Sequence, residues 1–358
     1  MSDIVNFSTI ISRFKENNLH YETLLTPSDM KFILLERGGR ILGPFWDTGK
    51  SSLFWVTPLF NDPKRFSDFI ENKGWNIGGD RVWIAPEFQF NITNRYDFDG
   101  TYSLPPQMDP GTYHLTKENS KIFKFENSIT LEANTIPSRK TNLFLTSFVT
   151  LCDDPLRNVQ EYKEISTQVK FAGYERLIIL DKKQNDNVMS ESWNLVQLIP
   201  GGKMIIPTSH LTHPIFYRGK LDSKSFQLCS HAIIIQMDGK NQYKFGVKSP
   251  FVFGRIGYYN QIDDDISYLL IKNFYNNPSS TYCEEPPLQP GEHGFSIHVY
   301  NDDGNLGGFC EMEVNGQTIG GNTQKTKSSD SILLWAYIGR KWAINKIAEW
   351  LLGVTPLQ

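Results

Sequence analysis

The sequence has little cysteine and almost no excess charge, and these two deficits exclude several classes of protein. Its four cysteines, Cys152, Cys229, Cys283 and Cys310, are scattered and form no C-x-x-C pair. This spacing favours reduced, mostly buried thiols over a disulfide framework or a zinc site. A formal net charge of −3 leaves no basic field that would attract nucleic acid or anionic lipid.

The sequence also lacks any apolar run that approaches the ~20 residues needed to span a bilayer. Residues 1–6 contain no basic stretch followed by an apolar segment, so no secretory signal is visible. We therefore expect a cytoplasmic protein without a membrane partner, or a periplasmic one if a leader has been removed. The sequence does not indicate an oligomeric state.

Aromatic residues are abundant, at 13% of the chain, and they favour strands over helices. Fourteen short segments read as strands: 32–35, 40–42, 53–56, 122–126, 128–132, 143–149, 175–180, 193–198, 232–236, 243–247, 256–259, 268–274, 295–300 and 310–314. Turn-forming clusters such as 301–305 separate them, which predicts an all-β fold of two large packed antiparallel sheets.

Helical spacing of apolar residues occurs near both ends of the chain. Residues 4–17 predict a short amphipathic helix, with Ser2 or Asp3 as a candidate cap. Residues 329–353 predict a final strand and a capping helix that stops at Gly353. No internal repeat or low-complexity linker interrupts the chain. We therefore expect one domain over residues 1–358, with a helical extension over residues 1–30.

The segment 78–90 combines a turn, a charged pair, aromatic residues and a lone carboxylate. Two glycines lead into a run that is rich in β-branched and aromatic residues, which predicts a turn followed by a strand. Asp80, Arg81 and Glu87 could bind sugar hydroxyls, while Trp83 offers an apolar face to the ring. The alternative is a buried Asp80–Arg81 ion pair that fixes the turn.

Glu311 and Glu313 are the next candidates for chemistry, because strand alternation places both on one face. Two carboxylates that share a face can raise the pKa of one of them, as a general acid or base requires. The alternative is that this face is solvated.

Other catalytic or cofactor signals are weak. His210 and His213 lie three apart, but flanking prolines break any helix there, so a solvated loop is favoured over a metal site. The segment 43–51 has five residues between its glycines where a phosphate loop needs four. The sequence contains no G-x-S-x-G turn and no dinucleotide fingerprint. We therefore expect neither a cofactor nor a metal.

Taken together, five segments resemble an uncharacterised bacterial branch of the galactose mutarotase-like superfamily. They are 38–42, 53–56, 78–87, 243–247 and 308–313, and the resemblance covers about residues 32–353. It implies a β-supersandwich that binds carbohydrate on its concave face, in a family that includes aldose 1-epimerases.

The resemblance also implies site residues. In those enzymes a glutamate on a late strand takes the proton of the anomeric hydroxyl, and Glu311 or Glu313 is the nearest match here. Arg81 resembles the sugar-binding arginine of the family. The family's histidine acid falls in a segment that corresponds to 192–198, which contains Trp193 but no histidine.

Three functions therefore remain open. The first is an aldose 1-epimerase-like enzyme with a glutamate base. The second is a non-catalytic carbohydrate-binding protein that uses Trp83, Trp193 and Arg81. The third and least favoured is a polysaccharide lyase or hydrolase, in which Glu87 acts with Glu311 or Glu313.

Overall fold

Two antiparallel sheets make up most of the computed structural model, which describes residues 5–134, 139–221, 224–354 and 356. In strand order, the first sheet contains β1 (Tyr21–Leu25), β2 (Lys31–Leu35), β3 (Arg40–Phe45), β4 (Asp80–Ala85), β9 (Glu191–Leu198), β18 (Cys310–Asn315), β17 (Phe295–Asn301), β14 (Tyr243–Lys248) and β11 (Ile215–Arg218). The prediction of an all-β protein with large antiparallel sheets is confirmed.

The second sheet is longer and includes a meander of extended strands. In strand order it contains β12 (Phe226–Leu228), β13 (Ala232–Gln236), β10 (Lys203–Pro207), β15 (Arg255–Gln261), β16 (Ile266–Phe274), β19 (Lys327–Arg340), β8 (Val169–Lys182), β7 (Arg139–Leu151), β6 (Ile122–Ala133) and β5 (His114–Lys117). One core joins the two sheets, with Val82 and Met312 from the first and Ile178 and Leu270 from the second. Each sheet therefore has one face in this core and a second face that is free for other contacts.

Helices cover parts of those second faces. They are α1 (Phe7–Glu16), α2 (Pro63–Glu71), α3 (Glu87–Phe90), α4 (Phe98–Thr101), α5 (Tyr162–Ile165) and α6 (Lys341–Leu352). Ile344 and Ile347 of α6 pack with Leu269 and Ile271 of β16 on the outer face of the second sheet. None of the helices within the described ranges is long and apolar enough to cross a membrane.

Both terminal helices form where the spacing of apolar residues predicts them. Asn6 caps α1 by accepting from the backbone N–H of Thr9, whereas the predicted caps Ser2 and Asp3 lie outside the described residues. Gly353 ends α6 with a φ of 75°, as a left-handed C-terminal cap requires. The expected helical extension over 1–30 is only partly helical, because β1 already pairs with β2 at the sheet edge.

The structure differs from the predicted strands in two places. Residues 53–56 form isolated bridges with Gly78 and Leu198 rather than a strand of either sheet. The two segments predicted over 122–132 are a single strand, β6, because Asn127 stays in register with Leu145 of β7. In both places, whether a segment forms a regular strand depends on the segment with which it pairs. The local alternation of apolar and polar residues does not identify that partner.

A polar network lies in the core between the sheets, around Asp80. Its carboxylate accepts hydrogen bonds from the Tyr174 hydroxyl at 2.8 Å and from Asn194 Nδ2 at 2.7 Å, and Arg176 Nη1 lies 3.5 Å away. Lys272 Nζ is 3.5 Å from Asp80 and donates to the backbone carbonyls of Asn194 and Met312. This network joins the strands that carry the candidate site to the second sheet.

The substitution Lys272→Met tests how far the fold depends on this network. Lys272 is fully buried, and its loss leaves Asp80 with less positive charge and two strand carbonyls without their donor. We expect the free energy of unfolding to fall by about 3–5 kcal/mol, measured by urea denaturation. Lys327→Met is the control, because Lys327 and Asp181 form an exposed pair at 3.6 Å. A similar small change of ~0.5 kcal/mol in both variants would contradict the prediction.

Candidate functional site

A cavity of about 450 Å³ lies on the face of the first sheet that points away from the core. The register of the strands brings its lining side chains together, because cross-strand partners project from the same side of a sheet. Trp83 pairs with Trp193, Glu311 with Tyr300, and Tyr300 with Lys244. Six residues predicted for the site line this cavity: Arg81, Trp83, Glu87, Trp193, Glu311 and Glu313.

Arg81 and Glu311 form one ion pair in the cavity wall. Arg81 Nη2 donates to Glu311 Oε1 at 2.8 Å, and Arg81 is only 1% exposed. The guanidinium lies over the Trp83 ring, 4.1 Å from its centroid, while Trp83 Nε1 donates to Asp109 Oδ2. Trp83 therefore positions Arg81 by a cation–π contact, and that ring face is not free for a ligand.

Glu313 is the most constrained carboxylate of the cavity. Its Oε2 accepts from Trp193 Nε1 at 2.8 Å and lies 3.2 Å from Lys244 Nζ, whereas Oε1 has no hydrogen-bond partner in the described part of the chain. Burial raises the pKa of Glu313 to about 7, although Lys244 opposes this shift and Glu311 and Glu87 add to it. A carboxyl group with such a pKa can accept or donate a proton near neutral pH.

Lys244 is the cation that holds this group of carboxylates together. Its Nζ donates to Glu87 Oε2 at 2.8 Å and lies 4.2 Å from the centre of the Trp193 ring. Burial lowers the pKa of Lys244, but the Glu313, Glu87 and Glu284 carboxylates raise it overall, well above its usual value. Lys244 therefore stays an ammonium group at neutral pH.

The exposed residues that line the cavity define its mouth: Asp99, Asp303, Asn305 and Leu306. Arg218 lies beside them, donates to Asp99 Oδ1, and covers the rings of Phe98 and Tyr300. In the turn after β17, one oxygen, Asp302 Oδ2, accepts from the backbone N–H groups of Gly304, Leu306 and Gly308, and Asn76 Nδ2 donates to the Leu306 carbonyl.

Asp80, the seventh residue predicted for the site, lies on the opposite face of β4. Side chains alternate along a strand, so Asp80 points into the core while Arg81 points into the cavity. Asp80 and Arg81 are therefore not an ion pair that closes the turn, and Asp80 stabilises the core instead.

Histidine is absent from the described residues that line the cavity. His298 pairs with Glu313 across β17 and β18, but its Nε2 is 2.9 Å from the Tyr217 hydroxyl and its Nδ1 is 3.1 Å from Asn315 Oδ1. Burial, assisted by Lys244, lowers the pKa of His298 well below its usual value. The His210 ring is hydrogen-bonded to the Ser209 hydroxyl and packs edge-on against Phe251, and His213 is exposed in the same loop.

Several residues of the site were missed by sequence reasoning, notably Lys244, Arg218 and Tyr102. Lys244 has a recognisable signal, because it is a lysine inside an otherwise apolar strand, where charge is costly unless paired. Arg218 and Tyr102 have no such signal. Within the described residues, no group of three or more His, Cys, Asp or Glu side chains is arranged to hold a metal ion.

A family model matches residues 50–357, and its description is a family of unknown function, DUF6786. The chain belongs to family DUF6786. The matched range contains every residue named above for the cavity, so none of these residues comes from the N-terminal 49 residues. No curated protein matches the chain.

Several solved structures are similar to this DUF6786 chain, and some of them have names from the superfamily that the sequence resembles. A galactose mutarotase-like protein from Lactobacillus casei ATCC 334 is 10% identical, with a TM-score of 0.45, over 89% of this chain and 100% of its own. The protein Slr1438 from Synechocystis sp. PCC 6803 is 11% identical, with a TM-score of 0.45, over 90% and 95%. Galactose 1-epimerase from Lactobacillus acidophilus NCFM is 8% identical, with a TM-score of 0.41, over 90% and 95%. At such low identities and TM-scores, the similarity does not indicate the activity of this chain.

The raised pKa of Glu313 predicts a pH-dependent effect of Glu313→Gln on stability. Between pH 4.5 and about 7 the folded protein keeps a proton on Glu313 that the unfolded chain releases, so this contribution to stability is lost as pH rises through that window. The amide cannot ionise. We therefore expect the variant to gain stability relative to wild type between pH 5 and pH 8, on the order of 2–3 kcal/mol by urea denaturation.

Glu164→Gln provides the matched control, because Glu164 is exposed on the short helix α5. Its pH profile should follow that of wild type. If the profile of Glu313→Gln also runs parallel to wild type, Glu313 is ionised in the folded protein throughout this range and the prediction is wrong.

Proposed function

We propose that the cavity binds a carbohydrate. The observation that supports this most directly is Glu313, a buried carboxylate with one oxygen lacking a partner among the described residues, in a cavity lined with aromatic rings. A buried acceptor without a hydrogen bond is costly, and a sugar hydroxyl would satisfy it. The volume of about 450 Å³ lies within the roughly 300–1,000 Å³ of typical small-molecule sites.

The aromatic residues of the cavity divide into two groups under this proposal. Trp83 and Trp193 are almost fully buried, and each holds a cation over its ring. Trp75 and Tyr102 are only partly buried and line the same cavity, so they offer the accessible apolar surface for the C–H face of a sugar ring. The Arg81 guanidinium also approaches Trp75, but at 5.7 Å from the ring centroid it is farther away than the cations over Trp83 and Trp193. We therefore assign the platform role to Trp75 rather than to Trp83 or Trp193.

Anomer exchange is the second candidate function, and the pKa of Glu313 near 7 favours it. The Glu313 carboxylate would take the proton of the anomeric hydroxyl as the ring C–O bond breaks and the anomeric carbon becomes a carbonyl. The ring oxygen must then gain a proton. Return of both protons after rotation about the adjacent C–C bond would give the other anomer.

Lys244 is the group we assign as proton donor to the ring oxygen, since no histidine is among the described residues that line the cavity. The anomeric hydroxyl and the ring oxygen are bonded to the same carbon, so their base and acid must lie side by side. Lys244 Nζ, at 3.2 Å from Glu313 Oε2, meets this requirement. Its raised pKa makes proton transfer less favourable than from histidine, so a modest catalyst is expected.

A hydrolase or lyase is not supported by a comparable observation. Such a reaction would use Glu87 with Glu311 or Glu313. Glu313 has the raised pKa of a general acid, but Glu87 is paired with Lys244 and Glu311 with Arg81, so neither stands free as the second carboxylate.

Trp75→Ala tests the binding proposal. Loss of an aromatic contact that stacks on a sugar is expected to raise the Kd for the bound sugar by roughly tenfold. Binding is measured by saturation-transfer NMR and calorimetry against free hexoses and pentoses. Trp342→Ala is the control, since Trp342 is 57% exposed at the start of α6, on the other sheet. Absence of binding by every sugar in the panel would defeat the proposal.

Glu313→Gln tests the catalytic proposal on any sugar that binds. The amide can still accept a hydrogen bond but cannot take a proton, so we expect anomer exchange to slow by about 10²- to 10⁴-fold while the sugar remains bound. Exchange is followed by NMR magnetisation transfer between the anomers. Glu164→Gln should exchange anomers as fast as wild type. Binding without faster exchange in wild type would leave carbohydrate binding as the function.

A further inference from the structure

The charges that line the cavity do not balance. The lining contains five carboxyl groups, Glu87, Asp99, Asp303, Glu311 and Glu313, against three cations, Arg81, Arg218 and Lys244. The excess is two negative charges when Glu313 is ionised and one when it is protonated, and Glu313 titrates at about pH 7 according to its raised pKa. The nearby Arg40 and Asp109 pair with each other at 2.5 Å and add no net charge. A cavity with such a lining attracts positive charge and repels anions.

Each lining cation is already engaged by a carboxylate. Arg81 pairs with Glu311, Arg218 with Asp99, and Lys244 with both Glu87 and Glu313. The charge of each cation is therefore already compensated, although Arg81 Nε and Nη1 and Arg218 Nε have no hydrogen-bond partner among the described residues. An incoming phosphate or carboxylate group would add negative charge to a lining in which carboxylates already outnumber cations.

The carboxylates lack partners more markedly than the cations do. Glu87 and Glu313 share one ammonium group, Glu313 Oε1 has no partner within the described chain, and Asp303 at the mouth forms no ion pair in that part of the structure. Two independent features thus point to a missing cation: the lining charge and a buried acceptor without a donor. An ammonium group satisfies both, because it brings positive charge and three N–H donors.

We propose that the preferred ligand is a saccharide that carries a protonated amino group, and that phosphorylated and carboxylated saccharides are excluded. This inference rests on the proposed carbohydrate-binding function and specifies the class of sugar. The amino group lies against Glu313 and the neighbouring carboxylates, while the remaining hydroxyls and the ring C–H face contact the rest of the cavity.

Calorimetric titration of the wild-type protein with matched sugars tests this inference. Glucose, galactose and mannose are each compared with their 2-amino, 6-amino, N-acetylamino and 6-phosphate derivatives at pH 7 and low ionic strength. In at least one series an amine should bind about tenfold tighter than its neutral parent, since a charge-assisted hydrogen bond is added. N-acetylation should abolish the gain, the phosphate should bind weakest, and 0.5 M salt should reduce the differences.

Asp99→Asn probes the same charge pattern at an exposed residue whose loss is not expected to disturb folding. It frees Arg218 from its partner, so phosphorylated sugars should gain roughly threefold or more in affinity relative to amines. Asp264→Asn, in the exposed turn between β15 and β16, should leave all affinities unchanged.

The outcomes separate this inference from the function on which it rests. Neutral sugars that bind as tightly as amines, or phosphates that bind as tightly as neutral sugars, would overturn the amine preference and leave carbohydrate binding intact. Failure of every sugar to bind would overturn both.

Discussion

The arrangement of the candidate site depends on the contacts that the ammonium group of Lys244 makes with its neighbours. It lies between Glu87 and Glu313, which are far apart in the chain and reach the same point from α3 and β18. The Trp193 ring beneath it adds a cation–π contact and donates its N–H to the same Glu313 oxygen. One buried cation therefore fixes the positions of two carboxylates and an aromatic ring. Without this cation, the two carboxylates would repel each other and the ring would lose its cation–π partner.

Much of the architecture follows from local sequence pattern. Alternation predicted the central strands, and it placed Glu311 and Glu313 on one face, where the structure has them. The same rule, applied to Asp80 and Arg81, would have separated them, because neighbouring residues of a strand point to opposite sides. The prediction that both residues belong to one site is therefore wrong for Asp80, whose carboxylate lies in the core and is hydrogen-bonded to Tyr174 and Asn194.

The rest of the site depends on strand order, which local pattern does not contain. Lys244 reaches Glu313 because β14 lies two strands from β18, with β17 between them. That order is set by contacts between distant parts of the chain, so the role of Lys244 and the burial of His298 could not be read from their own segments. The roles of the tryptophans were missed for a similar reason. A tryptophan in a strand can offer its ring face to a ligand or to a neighbouring cation, and only the cross-strand partner decides which.

The turn that follows β17 differs from the strands beneath it in how it is held. Its backbone converges on a single carboxylate oxygen of Asp302, whereas Glu311, Glu313 and Lys244 stand on strands that are paired along both edges. Residues of this turn can be exchanged, or the turn lengthened, without moving those strands, since turns tolerate insertions far better than paired strands do. Changes in this turn would therefore reshape the entrance of the cavity while Glu311, Glu313 and Lys244 keep their positions.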